Sequence, residues 1–246
     1  MKYHLSEKQF LSPKNKPMKK WLDSLFDALF PRQCMVCGRR LSISESFLCI
    51  SCFRALPVMR HITEPLNKTE QLLFNVPAVI SAFSYFRYQK ESNYRHLLFH
   101  LKYYNHPEVG RFLARCAANS LISQGFFSGI DLIVPVPLST KKKRKRGYNQ
   151  CDYLALGIAD ATGISIQRDS ITRTVSNSSQ TKKSRFQRWE NAEGLFQINS
   201  PSKLQGKHIL LVDDVITTGA TISSLAQTIS DSVPVRISVF TLALSE

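Results

Sequence analysis

Residues 208–221, with the sequence HILLVDDVITTGAT, constrain the fold of this chain more than any other segment. Residues 208–212 form an apolar, β-rich run, which predicts a strand buried on both faces. A helical pattern follows at residues 222–229. The sequence therefore predicts a buried strand that breaks into a short polar loop, and this loop opens a helix. The residues of the loop that carry chemistry are Asp213, Asp214, Thr217, Thr218, Gly219, Ala220 and Thr221.

The residue types of this loop suit a phosphorylated sugar. Ligands of an open α/β sheet bind beyond the carboxyl ends of the strands, and a helix N-terminus offers a phosphate unpaired N–H groups and partial positive charge. Gly219 lets the backbone come close to the anion, and the threonine hydroxyls can donate further hydrogen bonds. The two aspartates would instead accept hydrogen bonds from sugar hydroxyls or face a hard cation such as Mg²⁺. Helix capping would explain one or two of these residues but not the ordered set.

Length and composition set broad limits on the chain. Its 246 residues, of which 43% are hydrophobic, indicate one main domain with an appendage. The sequence shows no apolar run long enough to span a bilayer and no hydrophobic leader, so we expect a cytoplasmic protein without a membrane span. The net charge of +15 predicts attraction to polyanions, which include nucleic acid, phosphorylated ligands and anionic membranes. Net charge alone does not distinguish among these three kinds of partner.

Four of the six cysteines form two C-x-x-C pairs. Cys34 and Cys37 are followed, after 11 intervening residues, by Cys49 and Cys52. In a cytosolic protein, such pairs favour metal binding over disulfides. The spacing predicts a tetrahedral four-cysteine zinc site, whose role would be structural because four thiolates leave no open coordination position. A redox pair or a chance arrangement is the alternative.

A second buried strand is predicted at residues 131–138, DLIVPVPL, and it must end near its prolines, because proline cannot donate to the ladder. A loop is expected to follow, with the basic run KKKRKR at residues 141–146. Such a run is usually a solvated face. Here it leaves the carboxyl end of a strand, at the edge where residues 213–221 lie. Guanidinium groups bind phosphate through two parallel hydrogen bonds, so we interpret Arg144 and Arg146 as pyrophosphate ligands. Residues 141–143 would add to the positive electrostatic potential around the site.

The remaining segments suggest how the chain is organised. We expect a mobile tail at residues 1–17, an N-terminal helix and zinc-binding module at residues 18–60, and the main domain at residues 75–246. Residues 176–191 are polar and basic and lack an apolar pattern. They form a candidate lid, which would exclude water from a bound ligand when it closed. A plain surface loop is the alternative interpretation.

From about Trp21 onwards, the chain resembles the ComF family of phosphoribosyltransferase-like proteins. Residues 208–221 resemble the phosphoribosyl-pyrophosphate (PRPP) motif of type I phosphoribosyltransferases, which is a hydrophobic run, two acidic residues, an apolar pair and T-T-G-x-T. The resemblance implies an α/β type I phosphoribosyltransferase fold, a mostly parallel sheet flanked by helices, with a small N-terminal zinc-binding module. The other shared motifs are the two cysteine pairs, Leu101-Lys102-Tyr103, residues 134–139, Arg146-Gly147-Tyr148-Asn149-Gln150, Ser179-Gln180-Thr181, Arg188, Asn191 and Phe196.

The resemblance also implies a function. It suggests a PRPP-binding protein that uses structural Zn²⁺ and, with PRPP, Mg²⁺, and that acts in DNA uptake on single-stranded DNA beside a competence helicase. The basic run, Tyr148 and Trp189 suit contact with a single strand. Two alternatives stay open: an active phosphoribosyltransferase that transfers ribose 5-phosphate to a nitrogen acceptor in nucleotide salvage, and a non-catalytic PRPP-sensing regulator. The sequence also leaves open whether the chain forms a homo-oligomer.

Overall fold

A computed structural model describes residues 31–59, 66–174 and 195–245 of the chain. The tail expected at residues 1–17, the N-terminal helix up to residue 30 and the candidate lid at residues 176–191 lie outside the described residues. Within the described ranges, no helix combines the length and the apolar character that a bilayer crossing needs.

The main domain is built on a five-stranded sheet with the order β1-β7-β6-β2-β3. Every pairing in this sheet is parallel, which confirms the prediction of a mostly parallel sheet. A separate antiparallel pair is formed by β4 and β5. The strands are β1 (Val79–Tyr88), β2 (Leu132–Pro135), β3 (Ser165–Ile166), β4 (Ile171–Arg173), β5 (Phe196–Ile198), β6 (His208–Ile216) and β7 (Arg236–Ser245).

Helices separate most of these strands, as parallel connections require. Helix α4 (Glu108–Ile122) packs closely on helix α6 (Gln150–Thr162), because Gly157 of α6 brings this helix against the backbone of Arg111 in α4. An added Cβ at Gly157 would lie 2.2 Å from the carbonyl oxygen of Arg111, so only glycine fits this crossing. The helices are α1 (Ile50–Arg54), α2 (Lys68–Gln71), α3 (Arg95–Tyr103), α4 (Glu108–Ile122), α5 (Thr140–Arg146), α6 (Gln150–Thr162) and α7 (Ala220–Ser232), with a 3₁₀ turn at Pro201–Lys203.

Strand β6 lies at the centre of the sheet, between β7 and β2. Its residues 209–212 are completely buried, as the sequence predicts. The strand is longer than predicted, because it continues through both aspartates to Ile216. Asp213 is in register with Thr241 of β7, and Val215 with Ala243. The acidic pair is therefore held by the sheet itself and not by a loop.

The basic run is a helix and not the predicted loop. Helix α5, Thr140–Arg146, begins soon after β2 ends at Pro135. Lysine and arginine are good helix formers, and Gly147 ends the helix in a left-handed conformation, with φ of 81° and its N–H donating to the Lys143 carbonyl. Because β2 and β6 are parallel neighbours, with Pro135 opposite Val212, α5 lies at the same edge as the acidic pair.

The four-cysteine segment packs on the main domain through several kinds of contact. The ring of Phe112 on α4 meets the rings of Phe47 and Phe53 at centroid distances of 5.6 and 6.0 Å. The Tyr94 hydroxyl donates to the carbonyl of Cys52 at 2.9 Å. Residues 57–59 add backbone hydrogen bonds to β1. The segment thus covers one face of α4 and the free edge of the sheet.

Candidate functional site

A cavity of about 160 Å³ opens beyond the carboxyl ends of β2 and β6. Its floor is the acidic pair of β6, and its walls come from α3, α5, α6 and β4, so residues distant in sequence meet there. The lining residues are Lys102, Val136, Pro137, Leu138, Lys142, Arg146, Gln150, Cys151, Arg173, Asp213, Asp214 and Thr221.

A smaller hollow of about 40 Å³ adjoins this cavity over the loop after β6. It is lined by Asp213 and by residues 215–222. Since Asp213 and Thr221 line both spaces, the loop and the larger cavity form one continuous concave surface. Helix α7 starts at Ala220, with Gly219 as its N-cap residue. Residues 217–221, which we call the donor loop because their N–H groups and hydroxyls are the predicted phosphate donors, therefore lie next to the acidic pair Asp213 and Asp214.

Gly219 occupies a position that no other residue could fill without movement. Its φ is 79°, a left-handed value that favours glycine. A Cβ added there would lie 2.6 Å from the carbonyl oxygen of Leu72, which is backbone and cannot rotate away. The turn after α2 therefore supports the loop from behind.

Asp214 is buried, and its charge is balanced by a residue from α3. Only 5% of Asp214 is exposed, and its Oδ2 lies 2.9 Å from Nζ of Lys102. Burial opposes the charge of Lys102, but the carboxylates of Asp214 and Asp213 outweigh it and raise the pKa of the lysine. Lys102 is therefore held in its cationic form beside Asp214.

Asp213 faces the cavity and has a different environment. Its Oδ1 accepts the N–H of Asp214 at 2.8 Å and the thiol of Cys151 at 3.2 Å. Burial and the neighbouring Asp214 raise the pKa of Asp213 to about 7. The carboxyl at the cavity floor therefore changes its charge near neutral pH.

Three further cations face the two aspartates across the cavity. Arg146 donates to Oε1 of Gln150 at 2.7 Å, and the guanidinium of Arg173 lies 5.3 Å from the ring centre of Phe196. The pKa of Lys142 is lowered, first by partial burial and then by the positive charges of Arg173, Arg146 and Lys102. Crowding of like charges around an open space is unfavourable unless an anion enters it. The cavity is therefore suited to a ligand with several negative charges.

The structure places most of the predicted site residues on this surface. Asp213, Asp214, Arg146 and Thr221 line the larger cavity, and residues 217–220 line the adjoining hollow. Arg144 lies on the exposed side of α5 and lines neither space.

Sequence reasoning did not assign the other charged residues of the cavity. Lys102 lies in one of the shared motifs, which was the available signal, but its ion pair with Asp214 spans 112 positions in sequence. Lys142 belongs to the basic run and was given only a general role. Nothing in the sequence sets Arg173 apart from the other basic residues of the chain. Tyr148, interpreted as a contact for a single strand, is half-buried, and its hydroxyl donates to the Leu101 carbonyl at 2.7 Å.

The four paired cysteines come together as predicted. One ligand atom from each lies within 4.8 Å of the others, and Sγ of Cys37 is 3.8 Å from Sγ of Cys49. A zinc–sulfur bond of about 2.3 Å in a tetrahedron gives sulfur–sulfur distances of about 3.8 Å. The N–H of Cys49 donates to Sγ of Cys34 at 3.3 Å, which helps to lower the pKa of the Cys34 thiol. The N–H of Cys52 donates to Sγ of Cys49 at 3.4 Å. The cluster could hold a metal such as zinc.

Comparison with curated proteins finds relatives over part of the chain, while no family model matches. The DNA utilization protein YhgH of Salmonella typhi is 33% identical over 134 residues, which is 53% of this chain and 58% of YhgH. Competence protein F of Haemophilus influenzae is 31% identical, over 39% of this chain and 43% of that protein. Competence protein ComFC of Bacillus subtilis is 31% identical, over 46% and 45%. The chain thus spans about half the length of the curated relatives it matches.

Comparison with solved structures finds a phosphoribosyltransferase and a PRPP amidotransferase. Adenine phosphoribosyltransferase from Saccharomyces cerevisiae is similar with a TM-score of 0.38 at 15% identity, covering 58% of this chain and 72% of the other. Glutamine PRPP amidotransferase from B. subtilis is similar with a TM-score of 0.37 at 18% identity, covering 57% of this chain and 30% of the other.

Proposed function

We propose that this chain, whose relatives at about 30% identity over half its length support the ComF family, is a PRPP-binding, phosphoribosyltransferase-like protein that acts in DNA uptake. One observation carries the proposal. The donor loop of residues 217–221 and the acidic pair adjoin a single cavity, and four cationic side chains line that cavity. Those are the groups that a sugar with phosphates at both ends requires.

Each part of PRPP would meet a different part of this surface. The amides and hydroxyls of residues 217–221 would hold the 5′-phosphate. Asp213 and Asp214 would accept hydrogen bonds from the ribose hydroxyls. Lys142, Arg146 and Arg173 would neutralise the pyrophosphate, and Arg144 would add to the field from outside the cavity. Mg²⁺, bound by substrate phosphates and a carboxylate, would supply further neutralisation of charge.

The DNA part of the proposal rests on charge and on relatives. The chain carries a net charge of +15, and four of the seven residues of α5 are lysines or arginines that are exposed and line no cavity, which suits a nucleic acid backbone. Two kinds of relative are named as a DNA utilization protein and as competence proteins. Single-stranded DNA and a competence helicase are the partners we propose.

Calorimetry of the full chain with PRPP and Mg²⁺ tests the proposal. Wild-type protein should bind PRPP, and Asp213→Asn should weaken binding by at least about ten-fold, because the amide is a weaker acceptor than a carboxylate and places an NH2 donor where a ribose hydroxyl would donate. Asp169→Asn, an exposed change outside the cavity, serves as the matched control. An absence of binding by the wild type would refute the proposal. Release of pyrophosphate with an added nitrogen acceptor would identify a transferase, and binding without release a PRPP sensor.

Gly219→Ala should abolish PRPP binding while the fold is kept. The added methyl group would meet the Leu72 carbonyl at 2.6 Å, so the loop must move away from the phosphate position. Gly206→Ala is the matched control, because Gly206 has φ of 71° and nothing within 4 Å of an added Cβ. Both changes carry a backbone cost of about 1 kcal/mol, which thermal denaturation measures. Equal PRPP affinities of the two variants would contradict this role for the loop.

The affinity for PRPP should rise with pH through neutrality. Asp213 has a pKa of about 7, and its ionised form is the better acceptor for ribose hydroxyls, so binding should strengthen by up to about ten-fold per pH unit below 7 and level off above 8. PRPP itself also titrates, so the measured quantity is the ratio of wild-type affinity to that of Asp213→Asn at each pH. A ratio that does not change between pH 6 and 8 would contradict the prediction.

A further inference from the structure

We propose that three exposed rings, Phe99, Tyr103 and Tyr104, together with the outer cations of α5, form a track for single-stranded DNA that ends at the cavity. We call these three rings the aromatic patch. The inference deepens the proposed function and rests on it, since it states where the proposed nucleic acid partner binds. It assigns bases to the aromatic patch and backbone phosphates to α5.

The aromatic patch is unusually open for large side chains. Phe99 is 41% exposed, Tyr103 59% and Tyr104 60%. Phe99 and Tyr103 are four positions apart on α3 and therefore share one face of the helix, with ring centres 5.8 Å apart. Tyr104 follows Tyr103 directly in sequence, and its ring centre lies 5.1 Å from that of His100. Exposed rings offer faces on which unpaired bases can stack, whatever the base.

The aromatic patch is continuous with the cavity. The guanidinium of Arg146 lies 5.2 Å from the ring centre of Tyr103, and Arg146 also lines the cavity. Lys102, next to Tyr103 in sequence, lines the cavity from the same helix. A strand whose bases stack on the patch would therefore bring its terminal phosphate or sugar towards Asp213.

The cations of α5 supply the second half of the track. Lys141, Lys143, Arg144 and Lys145 are exposed, and within the part of the chain that the structure describes, no carboxylate lies within 4 Å of them. Lys141 and Lys145 are one helical turn apart and lie beside Lys142 and Arg146, which face the cavity. A backbone that runs along this side would stay close to positive charge up to the cavity mouth.

Three features favour a single strand over other occupants. Bases paired in a duplex have no free faces for stacking, so rings at this position would gain nothing from double-stranded DNA. An anionic membrane would also be attracted by cations and rings, but it would tolerate leucine in place of each ring, since both are apolar. The cavity at the end of the track suits a phosphorylated sugar, which is the repeating unit of the strand.

Fluorescence anisotropy with the full chain can separate stacking from charge. The probes are a labelled 20-nucleotide oligothymidine, an abasic strand of the same length, and vesicles containing anionic lipid. The first variant replaces Phe99, Tyr103 and Tyr104 by leucine, which keeps apolar volume but removes the rings. Phe74→Leu is its control, because Phe74 is 80% exposed and lies outside the patch.

The second variant is Lys141→Ala with Lys145→Ala, which removes two of the outer cations of α5. Its control is Lys203→Ala with Lys207→Ala, because both lysines are exposed and lie at the opposite end of β6.

The expected results differ between the variants. The leucine variant should bind oligothymidine at least about ten-fold more weakly and bind the abasic strand as the wild type does, since each lost stack costs about five-fold or more. The lysine variant should weaken binding to both strands, and the slope of log affinity against log salt should fall by about 0.7 for each lost phosphate contact. Neither control should change either quantity.

Other outcomes overturn the inference in distinguishable ways. If the leucine variant binds oligothymidine as the wild type does, the track is wrong, whereas PRPP binding and DNA binding elsewhere stand. If the wild type binds PRPP but no single strand, both the track and the DNA part of the proposed function fail. If the lysine variant loses binding only to vesicles, the surface serves a membrane. If the wild type binds the strand but not PRPP, the track stands and the PRPP proposal fails.

Discussion

Replacing Cys34 by serine should unfold residues 31–59 and expose the face of the main domain that they cover. Helix α1, with five residues, and two isolated bridges, Gln33 to Arg40 and Val58 to Phe86 of β1, are the regular structure of this segment. Segments below about 40 residues rarely fold without a disulfide or a metal. Structural zinc supplies about 10 kcal/mol or more in such modules, so losing one of four thiolates removes the main source of stability.

The measurement combines zinc content, limited proteolysis and calorimetry. Cys34→Ser should contain little zinc, should be cut within residues 31–59, and should unfold at lower temperature, because Phe112 of the main domain loses the cover of Phe47 and Phe53. Ser51→Ala is the matched control, an exposed change between two cysteines of the same module. Full zinc content and full protection of Cys34→Ser would show that this thiolate is not a ligand. Chelation of the wild type should reproduce the effects of the variant.

Lys102→Met should destabilise the main domain by about 3 kcal/mol at neutral pH. Methionine keeps the apolar stem but leaves the carboxylate of Asp214, 5% exposed, without its partner beside a second carboxyl group. Removing one member of a buried ion pair costs about this much, because the remaining charge stays desolvated. Adding Asp214→Asn should restore most of the loss, since the uncompensated charge then disappears.

Urea unfolding of the two single variants and the double variant measures this coupling. The exposed change Lys203→Met should alter the free energy of unfolding by no more than about 0.5 kcal/mol. The deficit of Lys102→Met should also shrink as the pH falls through 7, because protonation of Asp213 removes one of the two negative charges that the lysine faces. A deficit that is unchanged by Asp214→Asn would show that the lysine acts by packing and not by charge.

Local chemistry explains which parts of the fold could be predicted. The buried strand β6, the donor loop and the four-cysteine cluster are short segments whose residue types and spacing are informative alone, and all three occur where expected. The length of β6 was underestimated because two aspartates usually end a strand. Pairing with β7 extended it to Ile216. The charge of residues 141–146 favours a loop, but their helix propensity prevails and they form α5.

The cation side of the cavity could be predicted only in part, for a physical reason. Lys102 and Arg173 reach Asp214 and the cavity through tertiary packing of α3 and β4, and no periodicity in the sequence encodes such a meeting. Sequence spacing predicts which residues share a helix face or a strand end. It does not predict which of many basic residues is brought to a given carboxylate.

Strand β7 has a consequence for how this protein is made. It joins β1 to β6, and it follows both of them in sequence. The ribosome therefore synthesises β1 and β6 before β7. The main-chain groups of both strands that face β7 stay unpaired until β7 has been made. A translation product that stops before residue 236 would leave β1 as a single strand and β2, β3 and β6 as a three-stranded sheet with an open edge, and we expect quality-control proteases to remove it.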